Sequence, residues 1–424
     1  MIRSCLILLG LALATPSRAE ETTRLTPQQV LVPSGEMRGL VLLFSDQGGI
    51  DDQDRAAAKA LVDAGALVAE IDSDSYLASF AAELGTCDFL VPDIEALSRQ
   101  LQRVHPGVTY HAPILAGRGL GGTLAEAGLA QAYPATVAGA ASLDPAESAG
   151  ATKPFCGDPL AVHKSLQGFW VAGFSAPGAR RDRVAALQAS GTPVTIEDAR
   201  TLDALVPPHL PPPSAEIDAL PLVELPAEHP SDLLAVVLSG DGGWRDIDSS
   251  LAEALRQSGV SVVGWDSLRY FWNEKTPNQT AEDLAAVLQI YMAKWQASRV
   301  ALIGYSFGAD VLPFAYDRLP VDLQGHVVQI SLLGFADRAD FEISMTGWLG
   351  APPSDKALPL APEIARVPAG MLQCFHGSEE SDNACAILPK GAEQIELPGG
   401  HHFDGAYDEL ARRILAGLQR RSGR

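Results

Sequence analysis

Gly304-Tyr305-Ser306-Phe307-Gly308 sets a serine between two glycines, and far downstream Gly399-Gly400-His401-His402-Phe403-Asp404 offers an imidazole on a glycine turn. A serine hydroxyl is a weak nucleophile until an imidazole takes its proton and a carboxylate holds that imidazole in the right tautomer. Where the serine lies in a G-x-S-x-G corner between strand and helix, the partners follow in the order serine, acid, histidine. The order is met here. Between Ser306 and His401 runs His376-Gly377-Ser378-Glu379-Glu380-Ser381-Asp382, a carboxylate-rich loop. His401 is preferred to His402 because it directly follows the glycine and lies two before the aromatic. Asp382, a short carboxylate close to Cys385, is the preferred acid, and Glu380, at the G-x-x-acid spacing, is its alternative. The oxyanion formed on attack needs two backbone donors, one after the nucleophile and one from the loop after the first strand. Phe307 supplies the first, and Asp241 or Gly242 in Ser239-Gly240-Asp241-Gly242-Gly243-Trp244 supplies the second. Trp244, Asp246, Tyr305, Asp310 and Asp404 are read as an acidic and aromatic rim able to receive a cationic group. A metal centre of His401, His402 and Asp404 does not match zinc-ligand spacing, and no cofactor signature is found.

These side chains need elements to hold them. Arg299 to Ile303 is an apolar strand entering the serine turn, and Ala309 to Arg318 is the helix leaving it. Ala281 to Gln296 is predicted to be the preceding helix. Ala369 to Phe375 and Gln394 to Leu397 are strands delivering the acid and the histidine. An internal repeat extends this pattern backwards. Ser45 to Tyr76 and Ser239 to Tyr270 share thirteen identical residues, without a gap, at a displacement of 194 positions. Both copies read strand (Leu40 to Phe44; Leu234 to Leu238), glycine turn, helix, strand (Ala66 to Ile71; Val260 to Trp265), a βαβ unit used twice. In the first copy the elbow is Ile114-Leu115-Ala116-Gly117-Arg118-Gly119-Leu120-Gly121, with Gly119 in the serine's place and no Gly-His-His-Phe to follow. The expected fold is α/β: two tandem α/β-hydrolase-like domains with mostly parallel sheets and helices on both faces, the N-terminal copy degenerate. The expected boundaries are a signal peptide at 1–19, the degenerate domain at 20–200, an extended proline-rich linker at 201–230 around Pro211-Pro212-Pro213, and the catalytic domain at 231–424.

A net charge of −21 over 424 residues disfavours a nucleic-acid partner, which calls for clustered Lys and Arg. Arg3, the apolar run Leu6 to Ala14 and the small residues of Ser17-Arg18-Ala19 read as a secretory signal cleaved before Glu20. No later segment is long and apolar enough to span a bilayer. With Cys5 removed, four cysteines remain for an oxidising compartment, and the expected pairs are Cys374 with Cys385 and Cys87 with Cys156.

The elbow, the Ser239–Trp244 loop and the His401 loop together resemble the VirJ/AcvB family of bacterial virulence proteins, and the two-copy layout resembles the AcvB arrangement. The resemblance implies a periplasmic hydrolase that removes the amino acid, chiefly lysine, from aminoacyl-phosphatidylglycerol at the membrane surface. It places the family's serine on Ser306, its histidine on His401 and its acid within Glu379 to Asp382. A broad serine esterase, or a non-enzymatic periplasmic partner of a type IV secretion system, are the alternatives. The segment from Phe341 to Gly350, with Trp348, is assigned either to the substrate cleft or to core packing.

Overall fold

The computed structural model describes residues 22–82, 85–105, 109–157, 160–211, 220–343, 353–380 and 383–422. The signal segment, Trp348 and Asp382 lie outside them.

Two seven-stranded sheets are built to one plan. The first comprises β1 (Pro27–Leu31), β2 (Gly39–Phe44), β3 (Ala66–Ile71), β4 (Ile114–Arg118), β5 (Gly139–Leu143), β6 (Phe169–Phe174) and β7 (Thr195–Asp198), in the order β1-β3-β2-β4-β5-β6-β7. The second comprises β8 (Leu222–Leu225), β9 (Leu233–Leu238), β10 (Ser261–Trp265), β11 (Arg299–Tyr305), β12 (Val327–Leu333), β15 (Leu372–Gly377) and β16 (Glu393–Leu397). Its order, β16-β15-β12-β11-β9-β10-β8, is the same succession seen from the other edge. Short β13 (Arg338–Ala339) and β14 (Leu358–Pro359) form a separate ribbon. In each sheet only the first strand runs antiparallel, β1 against β3 and β8 against β10. The twofold use of the fold therefore extends well beyond the repeat visible in the sequence.

The inner parallel strands are buried on both faces, which is why they read as unbroken apolar runs rather than alternating ones, whereas the edge strands β7 and β16 are largely exposed. Along β9, Leu234, Val236 and Leu238 enter one core while Leu233, Ala235 and Val237 enter the core on the opposite face. Each large aliphatic side chain so buried contributes about 1.5–3 kcal/mol.

The repeated residues are mostly structural. Ser267 donates from N–H to Ser239 Oγ (2.9 Å) and from Oγ to Ser239 O (2.6 Å), tying two strand ends together. Ser73 makes the same pair of bonds to Ser45, at 3.1 and 2.6 Å. Asp72 and Asp266 each cap the helix that follows, accepting from Ser75 N–H and Arg269 N–H.

The linker expectation is corrected. Leu202, Leu205, Val206 and Leu210 are buried in the first domain's core, carried there by two short 3-10 turns, Leu202–Ala204 and Pro207–His209. After residues 212–219, which are outside the described set, Leu222–Leu225 is already the edge strand of the second sheet. Proline is compatible with the first positions of a turn and with the approach to an edge strand, so a proline-rich composition did not require a solvated tether. Both cysteine pairs form as expected, Cys87–Cys156 and Cys374–Cys385, with Cα–Cα separations of 5.0 and 5.7 Å.

The first bridge closes a span of 69 residues and the second one of 11. Loop-closure entropy then predicts losses of about 4 and about 3 kcal/mol when each pair is replaced by serines. Thermal denaturation of the two double variants checks the order.

Candidate active site

Ser306 stands at the end of β11, between that strand and the helix Phe307–Asp317. Its backbone is held at φ 50°, ψ −120°, a conformation that costs a non-glycine residue about 1–3 kcal/mol. Neighbouring hydrogen bonds over-determine it. Ser306 N–H donates to Leu333 O at 2.8 Å, and Ser306 O accepts from Ala309 N–H at 2.8 Å and Asp310 N–H at 3.1 Å. The flanking glycines are required sterically: a Cβ on Gly304 would lie 2.5 Å from Gly308 O, and one on Gly308 would lie 2.4 Å from Leu238 O. The corner thus aims the serine side chain off the carboxyl end of the sheet.

His401 reaches that side chain. Ser306 Oγ lies 2.9 Å from His401 Nε2, and His401 Nδ1 lies 2.6 Å from Glu380 Oε1. A carboxylate can only accept, so Nδ1 carries the proton and Nε2 is left to receive the hydroxyl hydrogen. Glu380 is itself anchored by Gly377 N–H on Oε2 at 3.1 Å. Burial pushes the Glu380 carboxyl up, but hydrogen bonds from His401 and Gly377, with the charge of the nearby imidazoles, outweigh it and hold it below the ordinary value. Phe403, fully buried, pins the histidine loop.

The preference for Asp382 is accordingly corrected. The carboxylate on His401 is Glu380, and Asp382 lies outside the described residues. The extra methylene of glutamate lets the acid reach Nδ1 from the turn that begins at Gly377, so neither a short carboxylate nor proximity to the Cys374–Cys385 bridge is needed.

The rim residues divide. Trp244 is not a rim residue: it is 5 % exposed, and its ring lies where a Cβ on Gly264 would be, 2.4 Å from Cη2. The glycine in β10 makes a slot that draws the indole into the core. Tyr305 is also buried, and its hydroxyl bonds His402 Nδ1 at 2.9 Å and His401 O at 3.4 Å, so it braces the histidine loop. Burial and the neighbouring His401 lower the His402 pKa. Asp310 turns its carboxylate to Ala336 N–H at 2.7 Å, and burial drives its pKa well up, so it is a loop anchor instead of an exposed anion. Asp246 and Asp404 are exposed. Burial raises the Asp241 carboxyl, and the neighbouring His401 and Arg245 offset this only in part. Phe341 is buried and packs edge-on to Phe271 and Phe314, which places it in the core.

The donors for an oxyanion are best seen in the first copy, which keeps the same corner. Gly119 has φ 53°, ψ −118°. The N–H groups of Leu120 and Gln47, counterparts of Phe307 and Asp241, converge on one oxygen, Asp46 Oδ1, at 2.9 and 2.7 Å. Among the described residues no group of His, Cys, Asp or Glu is arranged to hold a metal ion.

Gly334 escaped the sequence reading. At φ +58° it lies under the histidine, and a Cβ there would be 2.9 Å from His401 Cε1 and 3.4 Å from Glu380 Oε1. Arg245 escaped it too. Its guanidinium packs over Gly242 and reaches into the other domain to Glu95 Oε1 at 2.7 Å. A second tie lies beside it, where Arg103 sits 3.7 Å over the Trp272 ring and donates to Trp272 O at 2.6 Å.

Sheet order, strained corner and serine–histidine–carboxylate contact define the C-terminal domain as one of the α/β-hydrolase class. More narrowly, residues 232–422 match the model of VirJ, a bacterial virulence protein, over the whole of this domain. No curated protein matches the chain. Solved structures similar to it include the esterase domain of a Rhodothermus marinus protein, at 14 % identity over 47 % of this chain and 91 % of that one, TM-score 0.32. Others are an alpha-beta serine hydrolase homologue from Coxiella burnetii (18 %, 46 % and 89 %, TM-score 0.32) and Est1E from Butyrivibrio proteoclasticus (12 %, 46 % and 93 %, TM-score 0.33).

Glu380→Gln should lower kcat by on the order of 10³–10⁴ through loss of the tautomer lock, while Asp382→Asn changes it less than about threefold. Steady-state ester hydrolysis distinguishes the two. Across the domains, Glu95→Arg is expected to depress turnover about tenfold by displacing Arg245 from Gly242, and Glu95→Arg with Arg245→Glu to restore most of it. A double variant no better than the single one shows that this ion pair does not position the loop.

Proposed function

We propose that the C-terminal domain is a periplasmic serine hydrolase that cleaves the aminoacyl ester of aminoacyl-phosphatidylglycerol, the lysyl ester foremost, using Ser306, His401 and Glu380. The observation that carries the reading is the continuous contact from Ser306 Oγ through His401 to Glu380, at 2.9 and 2.6 Å.

In the proposed reaction Ser306 Oγ attacks the aminoacyl carbonyl as His401 Nε2 accepts its proton. The tetrahedral oxyanion is received by the N–H groups of Phe307 and Asp241, the counterparts of the two donors on Asp46 Oδ1 in the first copy. Collapse breaks the ester C–O bond, and His401 returns the proton to the departing glycerol oxygen of phosphatidylglycerol. Water, deprotonated by the same imidazole, then hydrolyses the aminoacyl-serine and frees the amino acid. Glu380 keeps its charge throughout and offsets that of the transient imidazolium.

Two features support a cationic acyl group. Asp246, exposed at the start of the helix that follows the Ser239–Trp244 loop, offers a carboxylate on the Asp241 side of the cleft, although burial raises the Asp241 carboxyl itself. The family resemblance points to the same class of lipid. The surrounding acidic surface repels anionic lipid as a whole, so recognition falls to the aminoacyl headgroup. Among the described residues no helix is long and apolar enough to cross a membrane, which fits capture of the headgroup from outside the bilayer.

Ser306→Ala is expected to lower hydrolysis of vesicle-borne lysyl-phosphatidylglycerol by 10⁴-fold or more, on the order seen when a catalytic serine is removed. A deletion strain should accumulate the lysyl lipid, and only the wild-type gene should reverse this. Equal kcat/KM on a short acyl ester lacking an amine would overturn the substrate assignment, and full activity of the alanine variant would overturn the mechanism.

A further inference from the structure

The N-terminal domain retains the hydrolase corner without its serine, and its contents have been exchanged in a correlated way. In the C-terminal copy the small residue is Gly240, whose missing side chain leaves room beside Ser306; a Cβ there would be 3.6 Å from Ser306 Cβ. In the N-terminal copy the corner residue is Gly119, and the position matching Gly240 is Asp46. A Cβ on Gly119 would fall 2.1 Å from Asp46 Oδ1, so the carboxylate occupies the volume that a nucleophile would need. Gly119 keeps the φ and ψ of the corner, which glycine adopts without steric strain, and the space where a side chain would stand is filled by a charged group. That group is held rigidly, Oδ1 by Leu120 and Gln47 N–H and Oδ2 by Arg118 at 3.3 Å.

The fixed carboxylate faces a cavity of about 490 Å³ lined also by Gln53, Arg118, Asp144, Ser175 and Arg200. The cavity opens at the carboxyl ends of β4, β5 and β6, beside the point where the strand order reverses, which is where open α/β sheets take their ligands. Its walls carry both signs of charge. Arg118 is engaged by Asp46 and by Asp51, the latter at 2.5 Å. Asp144, at φ 42°, is set by Ser175 N–H on Oδ1 at 2.8 Å. Arg200 stands at the rim as the complementary cation.

We infer that this cavity binds a small zwitterion of the amino-acid class, its ammonium between Asp46 and Asp144 and its carboxylate on Arg200. In the lining Asp46 and Asp144 balance Arg118 and Arg200, but Arg118 is also met from behind by Asp51 and Asp54, at 2.5 and 3.6 Å, so a ligand with an additional cation is preferred to one with an additional anion. The former oxyanion hole thereby serves a cation, because the anion it was shaped for has become part of the protein. The inference does not depend on the proposed reaction.

Isothermal titration calorimetry of the full mature chain with L-lysine, L-glutamate and n-butylamine tests it. L-Lysine is expected to bind most tightly, n-butylamine more weakly for want of the carboxylate, and L-glutamate weakest. Asp144→Asn and Arg200→Met, both at exposed positions and with melting temperatures unchanged, should each weaken L-lysine at least tenfold, whereas Asp241→Asn in the other cleft should leave that affinity intact. No detectable heat with L-lysine, glutamate binding as tightly as lysine, or affinity undiminished in both Asp144→Asn and Arg200→Met would overturn the assignment.

Discussion

A single backbone corner governs both halves of this protein. At Ser306 and at Gly119 the chain leaves a central strand and enters a helix with φ near 50° and ψ near −120°, a region that an L-residue occupies only under constraint. The constraint comes from close packing of strand against helix, possible because Gly304 and Gly308 in one copy, and Gly117 and Gly121 in the other, carry no Cβ to obstruct it. Everything chemical in the molecule is hung on what occupies the apex. A serine there presents a hydroxyl to the histidine loop; a glycine there yields its space to a neighbouring carboxylate.

The contact of Ser306, His401 and Glu380, on which the proposed reaction depends, is assembled by loops at the carboxyl ends of the strands, yet each loop is fixed by something buried. Phe403 anchors the turn that bears His401, and Gly377 N–H anchors Glu380. Tyr305, beside the serine, reaches the histidine loop with its hydroxyl, so strand β11 and the turn after β16 are joined directly. Such second contacts set the imidazole within hydrogen-bond distance of the serine before substrate arrives, which is the form of preorganisation that electrostatic catalysis requires.

Much of this was legible beforehand because glycine spacing and apolar runs report backbone geometry. The elbow, the histidine, both strands leading to the acid and the histidine, and the degenerate first copy all announce themselves by residue type. Misreadings arose where a residue's type is ambiguous between surface and core. Trp244 in a glycine-rich loop looks like a rim, and only the slot at Gly264, contributed by another strand, turns it inward. Asp310 looks like an anion until its partner Ala336 is known. Prolines 207 to 211 suggest a tether, but the leucines among them find a core that composition alone does not reveal. Gly334 and Arg245 could not be found at all, since their roles depend on residues from other strands and from the other domain.

The two domains are not beads on a string. Tyr110, from the first domain, is buried within the hydrophobic cluster of the second, and its ring meets Trp272 at 4.9 Å. Trp272 is covered in turn by the Arg103 guanidinium, while its neighbour Phe271 packs on Phe307, the residue next to the nucleophile. A helix of the first domain, Val91–Val104, therefore presses on the same small region through Glu95, which meets Arg245, and through Arg103. An aromatic stack transmits position more faithfully than a solvated ion pair, because it is desolvated and short-ranged while the ion pair is screened. The helix Val91–Val104 of the first domain thus forms part of the packing that leads, through Trp272 and Phe271, to the residue beside Ser306.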